Sequence, residues 1–201
     1  MKHMVDLYSG LGGASEAMVK AGWHVLRIEN NPLLSAVPFT VIDDVKLIRD
    51  NVESRVDVRP IDLIWASPPC HEFSNGYSAP KSIHVREHGD LDSYEPDMSL
   101  VVAAIDIIEK VKPKFWCLEN VVGSIRYIEP LLGKPRQIIG PYVLWGNFPY
   151  LNVKEIDVTP KKKKDVHSKN PMRMNLRAKV DFEISDALRK AIESQQSIFD
   201  Y

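Results

Sequence analysis

Long apolar runs are missing from this sequence. No segment approaches the roughly 20 apolar residues that a membrane-spanning helix needs, and the start, MKHMVDLYSG, has neither the apolar stretch nor the cleavage pattern of a secretory leader. Cysteine is scarce, at two in 201 residues, which argues against a disulfide framework and fits a reducing compartment. These absences point to a soluble, cytoplasmic chain without a membrane partner. With 44% hydrophobic residues the chain can fill one sizeable core. No internal repeat is present. Net charge is nearly absent too, at −1, but that average hides an asymmetry. Nine Lys or Arg stand between Lys154 and Lys179 against three acids, so this segment is near +6 and the remainder near −7. A basic segment on an acidic body suits a polyanion such as nucleic acid. It also describes a plain solvated loop.

Apolar runs alternate with helical patterns over the first 150 residues. MVDLY (4–8), HVLRIE (24–29), FTVID (39–43), IDLIWAS (61–67) and KFWCLENV (114–121) read as strands. ASEAMVKAG (14–22), closed by Gly22, a short turn from Pro32, KLIRDNV and SLVVAAIDIIEKV (99–111) read as helices. Continuous apolar strands separated by helices predict an α/β fold, a mostly parallel sheet with helices on both faces. Residues 71–96 are polar and predict a long loop. ISDALRKAIESQ (184–195) predicts a final amphipathic helix with Ser185 as its N-cap.

Chemistry gathers where strands end. DLYSGLGGAS makes the first strand-to-helix turn, where glycines allow close backbone approach to a ligand. The motif G-x-G-x-x-G is absent, so no dinucleotide cradle is inferred. Glu29 ends the second strand, where an acid can accept from ribose hydroxyls. Asp43 and Asp44 follow the third, where an acid can accept from an exocyclic amine. Each acid alone also reads as a surface charge, but three successive strand ends of this kind suggest an adenosine-containing ligand. Cys70 follows the fourth strand in ASPPCHEFS, where Pro68 and Pro69 stiffen the backbone. A nucleophilic cysteine needs thiolate character, which a positive neighbour or a helix start promotes. Cys117, inside an apolar strand, reads as a core filler. Glu119 ends the fifth strand, so it and Cys70 could share one pocket as an acid–base pair with a nucleophile. Cys70, His71, His84 and His88 also allow a zinc reading through the H-x-x-x-H spacing, but the polar loop around them favours solvated histidines, and no metal is expected.

DLYSGLGG, Glu29, Asp44, SPPCHEFS and LENV, in this order, resemble the DNA cytosine C5-methyltransferases over roughly residues 4–125. The resemblance implies a Rossmann-like class I S-adenosylmethionine-dependent methyltransferase fold. It implies a cofactor site at Asp6, Tyr8, Ser9, Gly10, Gly12 and Gly13, completed by Glu29 and Asn30 at the ribose, Asp44 and Val45 at the adenine, and Pro68. Cys70 would attack C6 of a cytosine while Glu119 contacts and protonates N3. Ser67, Pro69, His71, Ser74, Asn120 and Val121 would surround a base flipped out of DNA, with Lys161, Lys162, Lys163 and Lys164 on the phosphates. Residues 1–150 would form the catalytic domain, 151–183 a short basic segment in place of a target-recognition domain, and 184–201 a helix packing on the catalytic domain.

The sequence departs from the family pattern in three places. His71 stands where the family usually has Gln. The family's Arg-x-Arg strand corresponds to QIIGPYVLWGNFPYLNV, which contains no arginine. Neither a full recognition domain nor the final Asn-Ser motif is present, so recognition is expected to be brief or to come from a partner protein. The compact form would suit a phage or viral genome. The same chemistry on RNA or a free cytosine nucleotide, and a non-catalytic nucleic-acid-binding subunit, are the alternative readings.

Overall fold

The apolar strands pair into one seven-stranded sheet of order β3-β2-β1-β4-β5-β7-β6. The computed structural model describes residues 1–55, 60–153 and 170–199, without the side chains of residues 53, 55 and 196–199. The strands are β1 (His3–Leu7), β2 (His24–Glu29), β3 (Thr40–Ile42), β4 (Leu63–Ala66), β5 (Phe115–Val121), β6 (Gln137–Ile139) and β7 (Tyr142–Asn147). The first five run parallel, and β7 lies antiparallel between β5 and β6. The helices are α1 (Glu16–Lys20), α2 (Val45–Asp50), α3 (Val52–Arg55), α4 (Pro80–His88), α5 (Ser99–Val111), α6 (Ile125–Leu132), α7 (Arg173–Ala178) and α8 (Phe182–Phe199). Among the described residues no helix is long and apolar enough to cross a membrane.

Side chains on a strand alternate between the faces of its sheet, and here both faces are covered. Val5, Ile64, Leu118 and Val143 join α2, α5 and α6 in one core. Met4, Leu63, Trp65, Cys117 and Leu144 join α1 and α8 in the other. This is the α/β architecture with helices on both faces that the alternating pattern predicts. Cys117 is fully buried in the second core, as its apolar strand suggested.

Two expectations need correction. Residues 71–96 are not simply a loop, because they contain α4. Proline is favoured in the first helical turn, and Pro80 supplies it, while Gly89 closes α4 with φ +72. The helix carries no apolar stripe, so periodicity could not reveal it. Ser185 is not an N-cap, because α8 begins at Phe182. Its buried hydroxyl donates to the Ala14 carbonyl at 2.7 Å and accepts from the Ala17 N–H at 3.0 Å, stapling α8 to α1.

Beneath the first turn lies a buried polar chain that periodicity does not reveal. Arg27, in the otherwise apolar middle of β2, donates to Ser15 Oγ at 2.8 Å, the Pro38 carbonyl at 2.9 Å and the Gly12 carbonyl at 3.1 Å. Ser15 in turn donates to Asp6 Oδ2 at 2.6 Å. A Cβ at Gly12 would sit 2.3 Å from the Arg27 guanidinium, so this glycine serves close packing. Removing the buried guanidinium leaves three oxygens without their donor. Arg27→Met is therefore expected to cost on the order of 3 kcal/mol or more of folding stability, read as a lower urea midpoint.

Candidate active site

In open parallel sheets, ligands bind beyond the carboxyl ends of the strands where the strand order reverses. Here that point lies between β1 and β4, and the turn after β1 opens onto it. Ser9 donates its backbone N–H to the Ile28 carbonyl at 3.0 Å. Gly10, at φ +52, has nothing within 4 Å of where a Cβ would stand. A Cβ at Gly13 would instead strike the Val180 carbonyl at 2.4 Å. Of the three glycines in the turn, Gly10 is the one bordering open space, while Gly12 and Gly13 hold the frame.

Glu29 locks this turn to the end of β2. Its carboxylate accepts from the Gly10 N–H at 2.8 Å and the Asn31 N–H at 2.9 Å. A carboxylate has about four lone-pair sites, so two such bonds leave capacity for hydroxyls. Asn30, just past β2, is exposed. Asp44 caps α2 by accepting from the Lys46 N–H at 2.8 Å, and Asp43 accepts from the Asp44 N–H at 2.9 Å. The Asp44 charge lies close enough to Tyr8 to help burial push its phenol up. Tyr8 donates to the Leu100 carbonyl at 2.7 Å. Val45 is buried in the core with α2.

An adenosyl cofactor fits these residues on two counts. Asp6 Oδ1 and Ser9 Oγ are buried with no hydrogen-bond partner. Buried polar atoms normally have partners, and each exception calls for an explanation. Ser9 directly precedes Gly10, where the turn borders open space. Burial pushes the Asp6 carboxyl up to about 6, against the pull of Ser15 and Arg27.

Cys70 follows Pro68 and Pro69 and leads into a short 3-10 turn, His71–Phe73. Asn120 holds the proline backbone by donating to the Pro68 carbonyl at 2.9 Å, and its own oxygen accepts from the Val121 N–H. The chain after Cys70 is tied down at several points. Tyr94 donates to Glu72 Oε2 at 2.6 Å, and Lys81 to the Phe73 carbonyl at 2.7 Å. Arg126 reaches Asp92 at 2.9 Å, and the Phe73 and Tyr127 rings pack 5.8 Å apart. Ser74 accepts from the Gly76 N–H at 3.0 Å. His71 is exposed, with Nδ1 3.9 Å from Glu72 Oε1. Pro69 is exposed and Ser67 half-buried.

Glu119 lies on the α1/α8 face of β5, two residues beyond Cys117. Desolvation pushes its carboxyl up to about 7, and the Ser67 hydroxyl beside it pulls the other way. Ser67 itself accepts from Trp65 Nε1 at 2.6 Å. Burial raises the Cys70 thiol, and the Glu119 charge raises it further. The two groups therefore lie near each other, at the carboxyl ends of adjacent parallel strands. A nucleophilic cysteine needs thiolate character, yet the Cys70 thiol is pushed up. The tyrosine and glutamate that secure its loop, Tyr94 and Glu72, were not foreseen. A buried tyrosine in a polar stretch was the available signal.

The arginine-free strand is β7, reached through β6. Arg136 donates to the Phe148 carbonyl at 3.2 Å, and Arg126 is engaged by Asp92. Tyr142 occupies the start of β7, and its phenol donates to Asp181 at 2.9 Å. The histidines of α4 stack on each other at 4.3 Å, and among the described residues no group of three or more potential ligands could hold a metal. Lys161, Lys162, Lys163 and Lys164 lie outside the described residues.

Known proteins resemble this chain in a consistent way. Type II methyltransferase M.DdeI of Desulfomicrobium norvegicum is 26% identical over 157 residues, covering 69% of this chain and 34% of that protein. DNA (cytosine-5)-methyltransferase CMT1 of Oryza sativa is 32% identical over 74 residues, covering 37% of this chain and 6% of that protein. A solved Spodoptera frugiperda DNMT2 mutant aligns with TM-score 0.45 and 16% identity, over 78% of this chain and 54% of that one. The chain thus spans about a third of the length of the type II relative M.DdeI. The family model for C-5 cytosine-specific DNA methylases matches residues 2–126, more than half of the chain. The chain belongs to the C-5 cytosine-specific DNA methylase family.

Proposed function

We propose that this chain methylates C5 of cytosine in DNA through a covalent Cys70 adduct, with S-adenosylmethionine as the methyl donor. The observation that carries this reading is the placement of Cys70 and Glu119 at the carboxyl ends of adjacent parallel strands, with burial raising the Glu119 carboxyl to about 7. The donor supplies an electrophilic methyl group on a sulfonium. Gly10, Glu29, Asp44 and the unpartnered oxygens of Asp6 and Ser9 would hold it at the carboxyl edge of the sheet.

Cytosine C6 is a poor electrophile until positive character develops at N3. Glu119 delivers a proton there as the Cys70 sulfur bonds to C6, and the C5–C6 electron pair becomes available at C5. C5 then takes the methyl group. A base removes the C5 proton, the double bond re-forms, Cys70 leaves as thiolate, and Glu119 recovers the N3 proton. Covalent addition splits one hard substitution into easier steps. The base must leave the stack for C5 and C6 to be reached. Asn120 fixes the backbone of the Pro68–Cys70 turn, and the ties of the following chain hold the thiol in position.

Labelled S-adenosylmethionine, incubated with separate DNA, RNA and cytidine nucleotide pools and followed by nucleoside mass analysis, tests the substrate and the modified atom together. Label at 5-methylcytosine in DNA is the expected outcome. Label confined to RNA or free nucleotide, or at another atom, would overturn the reading. Lys161 to Lys164 supply the phosphate contacts. Neutralising all four is expected to reduce the slope of log affinity against log salt by up to about 3 to 4. An unchanged slope would remove the run from the DNA interface.

A further inference from the structure

We propose that Tyr142, pinned by Asp181, shields one flank of the half-buried Glu119 carboxyl from water, making Tyr142 a positioning residue of this site. The inference rests on the reading of Glu119 as the proton carrier.

The strand register carries it. Glu119 pairs with Leu144 and Val121 with Tyr142 across β5 and β7. Leu144 lies in the α1/α8 core, as does Cys117, two residues before Glu119. Period-2 alternation then puts Tyr142 and Glu119 on the same face, one step apart along the ladder. Tyr142 packs against that core as a half-buried ring. Its hydroxyl donates to Asp181 Oδ2 at 2.9 Å and accepts from the Asp181 N–H at 3.2 Å. A phenol has one proton to give, and Asp181 takes it, so Tyr142 acts on Glu119 through its ring and not as a donor. Asp181 directly precedes α8, which Ser185 staples to α1. The ring is therefore fixed by the frame of the domain and not by the chain that follows Cys70.

The electrostatics agree with this register. The Glu119 carboxylate contributes to raising the Tyr142 phenol, after desolvation and Asp181. The groups facing Glu119 are Ser67 from the end of β4, Cys70 from the following turn, Cys117 on its own strand and Tyr142 from β7, with Asp181 behind it. Among the described residues no cation is in this group, so burial is what favours the protonated carboxyl.

The test is the titration midpoint of Glu119 in the free protein, followed by carboxyl carbon NMR in wild type, Tyr142→Ala, Tyr142→Val and Tyr142→Phe. Both small replacements are expected to lower the midpoint by at least about one unit, because water reaches the carboxyl. The phenylalanine variant restores it. Valine suits a strand and keeps the test alive if the alanine variant does not fold. In turnover, the acid limb of the pH profile should move down by the same amount, with about tenfold slower transfer per unit. A midpoint unchanged in a folded small variant overturns the proposal. If wild type instead labels no cytosine in DNA while the midpoint moves as expected, the wall stands and the assigned reaction falls.

Discussion

Replacing Cys70 with alanine is expected to abolish methyl transfer, by on the order of 10⁴-fold or more, while the protein stays folded. Cys70 belongs to neither core. The structural work at this position is done by its backbone carbonyl, which accepts from the Phe73 and Ser74 N–H groups at 3.0 Å each. Alanine retains both bonds. A thermal midpoint close to wild type, with no 5-methylcytosine above background, is the predicted pair of results. DNA containing 5-fluorocytosine supplies the positive counterpart. A fluorine at C5 cannot leave as a proton does, so Cys70 should stay bonded to C6 and the adduct should survive denaturation. Cys117 provides an internal control, because its thiol is fully buried and pushed well up by desolvation. Trapping at Cys117, or unchanged turnover by Cys70→Ala, would sink the covalent mechanism.

The five parallel strands were legible because their runs are mainly apolar, whereas β6 and β7 were not read as strands, and α5 was predicted residue for residue because its apolar stripe repeats at helical spacing. The reasons for the misses are equally particular. α4 has no apolar stripe, so only Pro80 and Gly89 marked its ends. Ser185 resembled a cap because serine caps helices, yet its hydroxyl serves α1. Arg27 was visible only as one charge in an apolar strand. Its three acceptors come from residues 12, 15 and 38, and that convergence is a property of the fold. Reading their strands as parallel neighbours put Cys70 and Glu119 at the same end of the sheet, and β4 and β5 are parallel neighbours. The direction of the thiol's shift did not follow, because it depends on burial and on the charge of Glu119. Strand β7 shows the same limit. An absent arginine could be read from the sequence, whereas the proximity of Tyr142 to Glu119 needed the antiparallel register.

Glu119→Gln separates the chemistry from the frame, because it should move activity and stability in opposite directions. Glutamine keeps the shape and can still hydrogen-bond to N3, but it cannot deliver a proton. The loss of general acid catalysis is expected to slow transfer by about 10²–10⁴-fold. The break in the pH profile near 7 should disappear with it, leaving a rate that climbs with pH until Cys70 itself ionises. In the free wild-type protein, the carboxyl titrates near 7 and the thiol above its ordinary value of 9. The form with Glu119 protonated and Cys70 ionised is then a minority of about one molecule in a hundred or fewer. Transfer by wild type should rise with pH through about 7 and fall once Glu119 and Cys70 have both lost their protons. Stability runs the other way. Glu119 has a folded value raised above its unfolded one of 4.5, so between 4.5 and about 7 the native state binds more protons. Its contribution is full below 4.5 and is lost as pH rises through about 7. The cost at pH 8 is on the order of a few kcal/mol. Glu119→Gln removes that penalty and should unfold at higher urea than wild type at pH 8, with the advantage vanishing near pH 4. Asp6 is raised in the same sense, but it is common to both proteins and cancels in the comparison. The variant also removes one of the two causes that raise Cys70, so its thiol should exchange faster with a small disulfide at pH 8. Slower transfer together with a more stable fold and a more reactive thiol is a combination that general damage to the site cannot produce.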